Sequence, residues 1–286
     1  MIQYKKKTKN HPIVLREDTK VPYFYFPLLE NTNEVLHGFS TKLGGVSEGE
    51  FATMNFATIR GDKLENVKEN YKRICASMGM DWTKIVVSKQ THTTNIKIVS
   101  KEDAGKGVLV ERGYDNIDGL MTNEPGIVLV TMYADCVPLY FYDPVKRVIA
   151  LSHSGWRGTV NRMGEVTIRK MQEVYGSSPK DILACIGPSI CVDCYEVGSD
   201  VADEFVKSFD TKEVNQILST NDSGKYQLDL WKANELILKK AGIVENHLAV
   251  TDVCTCCNPD LLFSHRYTKG RRGNLGGYLC LKEENR

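Results

Sequence analysis

The sequence predicts a layered, mixed α/β fold of the α+β class. Strand-like and helix-like runs are intermixed along the chain without the regular strand–helix alternation of a Rossmann or barrel fold. Several of the strands look antiparallel, which also favours layered sheets and helices. The 286 residues show no internal repeat, low-complexity tract or clear linker. We therefore expect one domain over residues 1–286, with a peripheral N-terminal segment at 1–20.

The individual elements are predicted from apolar and β-branched runs and from capping residues. The predicted strands are Val21–Phe26, Ile85–Ser88, Ile96–Val99, Ile127–Tyr133, Ile182–Ile186, His247–Thr251 and Gly277–Leu281, together with a hairpin described below. The predicted helices are Leu64–Met78, Val160–Tyr175, Val201–Ser208 and Leu230–Ala241. Thr159 is placed to cap the second helix and Gly176 to end it, while Asp229 and Gly242 bracket the last one.

Composition excludes several classes of protein. Hydrophobic residues make up 42% and charged residues 26%, and the formal net charge is +1, so no basic excess indicates a nucleic-acid partner. No signal peptide is visible. The longest apolar stretch, Ile127 to Tyr142, is interrupted by Asp135 and Pro138 and is too short to span a bilayer. We expect a cytoplasmic protein without a membrane partner.

A predicted hairpin carries the first candidate site. Val137–Tyr142 and Arg147–Ser152 read as strands on either side of the turn Asp143–Lys146, in which a proline suits the second position. If the two strands pair directly across this turn, Cys136 and His153 lie opposite each other on one face, with Cβ atoms about 5 Å apart. That arrangement suits two ligands of one metal ion, or a nucleophile and its base. A slip of one residue would place them on opposite faces.

A third candidate ligand lies in the polar loop SKQTHTTNI, which contains His92. His92, Cys136 and His153 make a set of two histidines and one cysteine. Three protein ligands with an open fourth position are typical of catalytic zinc, which acidifies a bound water. The same ligand types bind copper, so the set alone does not decide between Zn²⁺ and Cu²⁺.

The stretch HSGWRGT follows the second strand of the hairpin and opens a helix. Gly155 and Gly158 permit a close backbone approach, and Arg157 together with helix N-terminal amides would suit a phosphate. The alternative is a glycine-rich turn with Trp156 packed on the core.

The remaining cysteines are less informative. The chain has nine cysteines, so at least one is unpaired. CVDC (Cys191, Cys194) and CTCC (Cys254, Cys256, Cys257) together offer a possible four-sulfur zinc site. Neither half resembles the paired cysteine spacing that is usual in zinc ribbons. In a strand, the side chains of residues 254 and 256 would share one face and that of residue 257 would lie on the other. We therefore expect buried, reduced thiols at these positions and assign them no role.

Several segments resemble one known family. They are HGFSTKLGGVSEGEFATMNFA, KQTH, DGLMTNEPGIVLVTMYADCVPLYFYDP, ALSHSGWRG and GPSICVDCYEVG, with looser agreement at CTCC…FSHR…GRRGNLGGY. They resemble the laccase-domain family, formerly labelled multicopper polyphenol oxidase. Its members are now described as zinc-dependent purine nucleoside phosphorylases with adenosine deaminase and methylthioadenosine phosphorylase activity. The resemblance extends from about Val21 to Leu281.

The resemblance implies a layered fold around a two-sheet core and a metal site at His92, Cys136 and His153. It also implies purine nucleosides and inorganic phosphate as substrates. The motif positions expected to line the pocket or to handle protons are Asn55, Arg60, Gln90, Asp118, Asp135, Arg157 and Arg266. Asp118 or Asp135 would move the proton in deamination, although Asp135 in a regular strand faces away from Cys136 and would then support the site from behind.

Three other functions remain open at this point. A metal-independent cysteine hydrolase would use Cys136 as the nucleophile and His153 as its base. A copper-dependent polyphenol oxidase with mononuclear and trinuclear sites needs about ten histidines, and the chain has six. A single copper at the two-histidine, one-cysteine set would still permit some oxidation. The last alternative is a metal-binding or interaction protein without enzymatic activity.

Overall fold

The computed structural model of the chain describes residues 2–221 and 224–283. The strands are β1 (Val14–Arg16), β2 (Tyr23–Tyr25), β3 (Val35–Ser40), β4 (Ile85–Val87), β5 (Ile96–Ile98), β6 (Gly119–Thr122), β7 (Val128–Tyr133), β8 (Val137–Asp143), β9 (Val148–Ser154), β10 (Leu183–Ile186), β11 (Glu196–Val197), β12 (Leu218–Thr220), β13 (Tyr226–Leu228), β14 (Leu248–Val250) and β15 (Leu275–Leu281). The helices are α1 (Pro27–Glu30), α2 (Leu64–Met78), α3 (Trp156–Val160), α4 (Met163–Tyr175), α5 (Ser199–Ser208), α6 (Thr211–Ile217), α7 (Leu230–Lys240) and α8 (His265–Thr268).

Two mixed sheets form the centre of the fold. The first has the strand order β1-β2-β3-β15-β7-β4 and the second β14-β10-β8-β9-β6-β5. Most neighbours are antiparallel, but β4 runs parallel to β7, β10 to β14 and β5 to β6. A small third sheet has the order β11-β13-β12. The chain thus has the predicted mixed α/β architecture, and the N-terminal segment adds the edge strand β1.

The main core lies between the two large sheets. Phe24, Phe39 and Leu279 from the first sheet share one buried apolar cluster with Tyr140 and Leu151 from the second. Helix α2 covers the outer face of the first sheet, and α4, α5 and α7 cover the outer face of the second. Each large side chain buried in this way contributes about 1.5–3 kcal/mol of transfer free energy. The layers therefore run helix, sheet, sheet, helix.

Helix α2 shows how the sequence specifies these layers. Val67, Tyr71, Ile74 and Met78 recur at three- and four-residue spacing and are all buried against the first sheet. Gly79 follows in the left-handed conformation, with φ at 71°, and ends the helix. The predicted bounds of this helix are confirmed. None of the helices within the described residues has both the length and the apolar character needed to cross a bilayer.

The hairpin forms as predicted, but its register differs by two residues. Tyr142 pairs with Ile149 and Pro138 with His153, so the strands do not pair directly across Asp143–Lys146. Asp143 belongs to β8, and Arg147 takes the left-handed conformation with φ at 52°, which moves the loop one residue along the chain. Because the difference is an even number, Cys136 and His153 stay on one face.

The predicted helix Val160–Tyr175 is wrong at its start. The chain instead forms the short helix α3 and then α4, which are separated at Arg162, where φ is 61°. Thr159 lies inside α3 and donates its hydroxyl to the Gly155 carbonyl, so it does not cap α4. The guanidinium of Arg162 lies 4.1 Å from the centre of the Phe209 ring, and this contact holds the break. Gly176 ends α4 as predicted.

Candidate metal centre and active site

Three potential metal ligands converge where the core between the two sheets ends. The ligand atoms of His92, Cys136 and His153 all lie within 4.8 Å of one another. The two imidazole rings meet edge to face, with centroids 5.1 Å apart. Two nitrogens and one sulfur at such distances fit the ligand chemistry of zinc or copper, and three protein ligands leave room for a fourth from solvent or substrate.

Backbone geometry brings the cysteine into this group. His153 is the penultimate residue of β9, and Cys136 comes immediately before β8. Asp135 has φ at 84°, so the chain turns sharply just before the cysteine. Gly155 packs closely on the other side, because a Cβ there would lie 3.0 Å from the Cys136 sulfur and 3.1 Å from a His92 ring carbon. The glycine of the HSGWRG motif is therefore required by the packing of the site.

The carboxylate of Asp118 is hydrogen-bonded to both histidines, to the ring of His153 and to the backbone amide of His92. Asp118 immediately precedes β6, and the pairing of β6 with β9 places it beside His153, whose Nδ1 lies 2.8 Å from its carboxylate. The backbone amides of Thr91, His92 and Thr93 donate to the same carboxylate at 2.9–3.0 Å. A carboxylate on Nδ1 leaves Nε2 as the ligand atom and fixes the orientation of the ring. Its side chain is fully buried, so Asp118 does not face the substrate space.

Interactions within the cluster shift the pKa values of Cys136 and His153. Burial alone would raise the pKa of the Cys136 thiol, but the charge and hydrogen bonds of His153 and His92 outweigh it and lower the pKa to about 6. Burial alone would lower the pKa of His153, but the Cys136 thiolate and the Asp118 carboxylate raise it to about 9. A cysteine held as thiolate is the form that binds a metal ion or attacks an electrophile.

Two adjoining cavities open onto the three ligands. The smaller, of about 220 Å³, has a polar and cationic wall that includes Arg60, Lys89, Gln90 and Arg112. The larger, of about 380 Å³, has an apolar and aromatic wall formed by Trp156, Ile190, Tyr195 and Leu230. His92, Cys136, Arg60 and Arg272 line both. The site thus has a cationic side and an aromatic side that meet at the cluster of ligands.

The sequence offers Arg272 only as part of the tail SHRYTKGRRGNLGGY, which with His265, Arg266 and Arg271 could cover an anionic ligand or form a flexible loop before the last strand. The Arg272 side chain is buried, and its Nε has no hydrogen-bond partner among the described residues. Burial, followed by the charge of Arg60, lowers the pKa of Arg272 to about 10. Two guanidinium groups facing one cavity favour a bound anion. The basic run GRRG contains the signal, but sequence alone does not tell a buried arginine from a solvated one.

The other predicted residues occupy different positions around the site. Gln90 lines the smaller cavity, and its amide exchanges two hydrogen bonds with the backbone of Met132. Asn55 is fully buried, lines neither cavity, and accepts from the backbone amide of Asn274 at 2.9 Å. Arg157 is exposed, and its guanidinium stacks on the neighbouring Trp156 ring at 4.2 Å. The structure does not bring Arg157 into either cavity.

Asp135 and Arg266 form one unit on the wall of the larger cavity. The backbone amide of Arg266 donates to the Asp135 carboxylate at 2.7 Å, and the Thr255 hydroxyl donates to its other oxygen at 2.6 Å. The Arg266 guanidinium lies 5.3 Å from the centre of the Tyr195 ring and donates to the Glu196 carbonyl. Asp135 therefore braces the C-terminal loop against the site.

This chain is similar in sequence to several known proteins. The chain is 38% identical to purine nucleoside phosphorylase YlmD of Bacillus subtilis over 260 residues, which cover 89% of this chain and 91% of that protein. It is 34% identical to a purine nucleoside phosphorylase of Bacteroides thetaiotaomicron, covering 86% and 92% of the two chains. It is 31% identical to adenosine deaminase RL5 from an unidentified prokaryote, covering 82% and 89%.

Solved structures and a family model agree with these relatives. The crystal structure of YlmD from Geobacillus stearothermophilus matches with a TM-score of 0.88 at 31% identity, covering 95% of this chain and all of that one. The hypothetical protein YfiH of Bacillus licheniformis matches with the same TM-score at 33% identity, covering 94% and 99%. The family model described as multi-copper polyphenol oxidoreductase laccase matches residues 36–282. The chain belongs to this laccase-like family.

Proposed function

We propose that this protein is a zinc-dependent purine nucleoside phosphorylase that also deaminates adenosine. Adenosine, inosine or methylthioadenosine would react with inorganic phosphate to give the free base and the sugar 1-phosphate. The observation that carries the proposal is the cluster His92, Cys136 and His153, which opens onto one cationic and one aromatic cavity. The names of the relatives, phosphorylase and deaminase, support the same chemistry.

The donor set supports zinc as the metal. Two imidazoles and a cysteine sulfur, with Asp118 hydrogen-bonded to His153, match the donor types of catalytic zinc sites, which leave one position open. A zinc ion bound there would supply a Lewis acid and a water of lowered pKa. The same donors fit Cu²⁺, so metal analysis of the purified protein is the first control. His92, Cys136 and His153 would hold the ion, and Asp118 would keep both histidines in place.

The smaller cavity supports phosphate as the second substrate. Arg60 and Arg272 both line it, and the buried Nε of Arg272 has no hydrogen-bond partner among the described residues. Guanidinium groups pair with phosphate oxygens through two parallel hydrogen bonds. Arg60 and Arg272 therefore bind and orient the phosphate in this proposal. The earlier expectation that Arg157 does so is not supported by its position outside the cavity.

The larger cavity supports a purine ring. Trp156 and Tyr195 offer aromatic surfaces, and Ile190 and Leu230 complete an apolar wall. Its volume of about 380 Å³ lies within the range of small-molecule sites. The base would lie between these side chains. Asp135 lines the same wall, and in this proposal its carboxylate would exchange a proton with the base.

Product analysis tests this proposal. Purified protein with zinc is incubated with adenosine, with and without phosphate, beside Cys136→Ser and the matched control Cys75→Ser, whose cysteine belongs to α2 and is buried against the first sheet, outside both cavities. We expect adenine that depends on phosphate, inosine that does not, and loss of both in Cys136→Ser alone. Absence of nucleoside turnover in the zinc-loaded wild type would contradict the proposal.

One geometric feature favours a second candidate, a metal-independent cysteine hydrolase. Cys136 lies within 4.8 Å of the His153 ring, which bonds to Asp118, so the three could act as nucleophile, base and orienting carboxylate, and the Cys136 pKa is lowered to about 6. This reading gives no role to His92. Exhaustive chelation separates the two candidates, because it stops the zinc enzyme and leaves a cysteine hydrolase active until its thiol is alkylated.

The cysteines support a cytoplasmic location for this enzyme. All nine are free thiols in the structure. Reduced cysteines in this number are typical of a reducing compartment. Purine nucleosides and phosphate are small molecules of such a compartment, and we propose no nucleic-acid or membrane partner.

A further inference from the structure

Four cysteines outside the candidate active site meet at a second point. The Sγ atoms of Cys191, Cys194, Cys254 and Cys257 all lie within 4.8 Å of one another. The Sγ of Cys257 lies 3.4 Å from that of Cys194 and 3.9 Å from that of Cys191. Disulfide sulfurs are about 2.05 Å apart, and these four are free thiols. The group is therefore arranged as four separate sulfur donors.

The topology explains why these cysteines meet. Strands β10 and β14 are parallel neighbours, so the chain leaves both at the same end of the sheet. A parallel bridge between Ser189 and Cys254 continues the pairing beyond the strands. Each segment then turns through a C-x-x-C sequence, Cys191–Cys194 in one and Cys254–Cys257 in the other. The expectation of unrelated buried thiols overlooks that Cys254 and Cys257 have this two-residue spacing.

Backbone donors point at one of the four sulfurs. The backbone amides of Cys191 and Cys257 donate to the Cys254 sulfur at 3.2 and 3.4 Å. Lys7 pairs with Asp193 at 2.7 Å and so offsets a carboxylate inside the first C-x-x-C turn. Four sulfurs with amide donors and a nearby lysine match the environment of a metal–thiolate site.

We propose that Cys191, Cys194, Cys254 and Cys257 bind a second zinc ion, whose role is structural. Four protein sulfurs complete a tetrahedral zinc site and leave no position for a substrate. Cys191 and Cys254 are buried and the other two are half-buried, so the ion would be enclosed by the protein. Binding releases the thiol protons and adds its free energy to that of folding.

This second site would stabilise the wall of the larger cavity. Thr255, inside the second C-x-x-C turn, donates to the carboxylate of Asp135, and its amide bonds to the Ser189 carbonyl. The amide of Ile190 bonds to the Asp135 carbonyl at 3.0 Å. Tyr195 directly follows Cys194 and lines the cavity. A zinc ion bound by both turns would thus fix Ile190 and Thr255, which are both hydrogen-bonded to Asp135.

Zinc counting tests the proposal without using enzymatic activity. Protein purified with zinc and without chelator is measured by plasma mass spectrometry, as wild type and as Cys136→Ser, Cys194→Ser, Cys257→Ser and Cys256→Ser. We expect two zinc ions in the wild type and one each in Cys136→Ser, Cys194→Ser and Cys257→Ser. Cys256→Ser is the matched control, because this thiol lies in the same turn but outside the group of four. It should keep both ions.

Cobalt spectroscopy covers the case in which the cysteine variants do not fold. Cys136→Ser leaves the group of four untouched, and its Co²⁺ form should show the intense sulfur-to-metal charge-transfer bands of a four-thiolate site. The proposal is overturned if Cys136→Ser contains no zinc and gives no such bands. It is equally overturned if peptide mapping of the unreduced protein shows these cysteines joined as disulfides. Both outcomes are independent of whether nucleosides are substrates.

Discussion

The two cysteine-containing clusters differ in number of donors, in enclosure and in what supports them. His92, Cys136 and His153 supply three donors, open onto two cavities, and depend on the buried carboxylate of Asp118. The four cysteines around Cys254 supply four donors, and backbone amides support them. An incomplete ligand set beside a cavity is suited to chemistry, whereas a complete set of sulfurs is suited to holding chain segments together.

The difference also follows from the topology. Cys136 and His153 of the three-donor cluster lie at the ends of the central strands β8 and β9, and His92 lies in a loop whose backbone amides bond to Asp118, just before β6. The four-cysteine cluster lies in two turns beyond β10 and the edge strand β14, which a parallel bridge between Ser189 and Cys254 joins. In our proposals the first cluster positions reacting groups, and the second ties two turns together at the edge of the sheet.

Replacing a ligand of the three-donor cluster should have the largest effect on activity. We expect Cys136→Ser to lower the turnover of adenosine with phosphate by at least about 100-fold, because even residues that only support a ligand cost about 10–100-fold. Its thermal midpoint should fall less than that of Cys194→Ser, because the three-donor cluster has fewer protein ligands and is held by the sheet. Initial rates and a melting curve measure the two effects, and full activity in Cys136→Ser would remove this cluster from the mechanism.

The reverse pattern is expected for the four-cysteine cluster. Cys194→Ser should lower the free energy of unfolding by about 4 kcal/mol, or the thermal midpoint by roughly 10 °C, because a structural ligand is lost. The remaining activity per folded molecule should stay within a few-fold of the wild type. Denaturation monitored with Cys256→Ser as the control checks this, and an unchanged midpoint would mean that the cluster does not stabilise the fold.

Arg272 should separate phosphorolysis from deamination. We expect Arg272→Met to raise the phosphate KM by about 10–100-fold, equivalent to the loss of one charged hydrogen-bonding group worth about 1.5–3 kcal/mol. Deamination of adenosine without phosphate should change far less. Arg271→Met is the matched control, because Arg271 is adjacent and its side chain is 85% exposed. Equal effects of the two variants would show that the smaller cavity does not bind phosphate.

Replacing Asp118 should weaken zinc binding at the three-donor cluster and leave the four-cysteine cluster unchanged. We expect Asp118→Asn to weaken zinc binding at the three-donor cluster by about 10–100-fold, because Asn cannot match the charge that orients His153. The control is Asp193→Asn, beside the four-cysteine cluster but largely exposed. Competition with a chromophoric chelator measures each affinity. Loss of zinc from the four-cysteine cluster in Asp118→Asn would contradict the separation of the two sites.

His37 contrasts with His153, because it is a buried histidine that has no carboxylate hydrogen-bond partner among the described residues. Burial lowers its pKa to about 4, and its Nε2 accepts from the Phe26 amide. Below about pH 6.5 this histidine is protonated in the unfolded chain but stays neutral in the folded chain. The free energy of unfolding therefore falls as the pH drops from 6.5 toward 4. We expect a loss of about 2 kcal/mol between pH 8 and pH 5.

His37→Gln tests this assignment. Because glutamine does not titrate, the variant should lose most of the acid dependence in urea unfolding, at some cost in stability at pH 8. His11→Gln, at an exposed position, is the control. An unchanged pH slope in His37→Gln would place the acid sensitivity elsewhere.

Much of the fold could be predicted because its elements are strongly patterned. The apolar spacing of α2 and the two strands of the β8–β9 hairpin are visible in the sequence. The register of the hairpin was beyond prediction, because Arg147 adopts a conformation that no local signal requires. The break at Arg162 has the same origin, since a tertiary contact with Phe209 holds it. The small sheet β11-β13-β12 consists of short, partly polar strands with weak patterns.

The site was predictable to the extent that sequence motifs carry it. His92, Cys136 and His153 come together as the hairpin and the family motifs indicate. The basic tail that contains Arg272 is visible in the sequence, but the burial of Arg272 could not be predicted, because it depends on how the C-terminal loop folds over the cavities. The four-cysteine cluster depends on the parallel pairing of β10 and β14, which are separated by more than sixty residues in the chain. Contacts of that kind are decided by topology and leave little local signal.

The most direct test of this account is a crystal structure of zinc-loaded protein with anomalous difference maps at the zinc absorption edge. The account predicts two peaks per chain. One should be bound by His92, Cys136 and His153 with a further ligand from solvent or substrate, and the other by Cys191, Cys194, Cys254 and Cys257. A map without a peak at His92, Cys136 and His153 would contradict the proposed active site, and a map without a peak at the four cysteines would contradict the structural one.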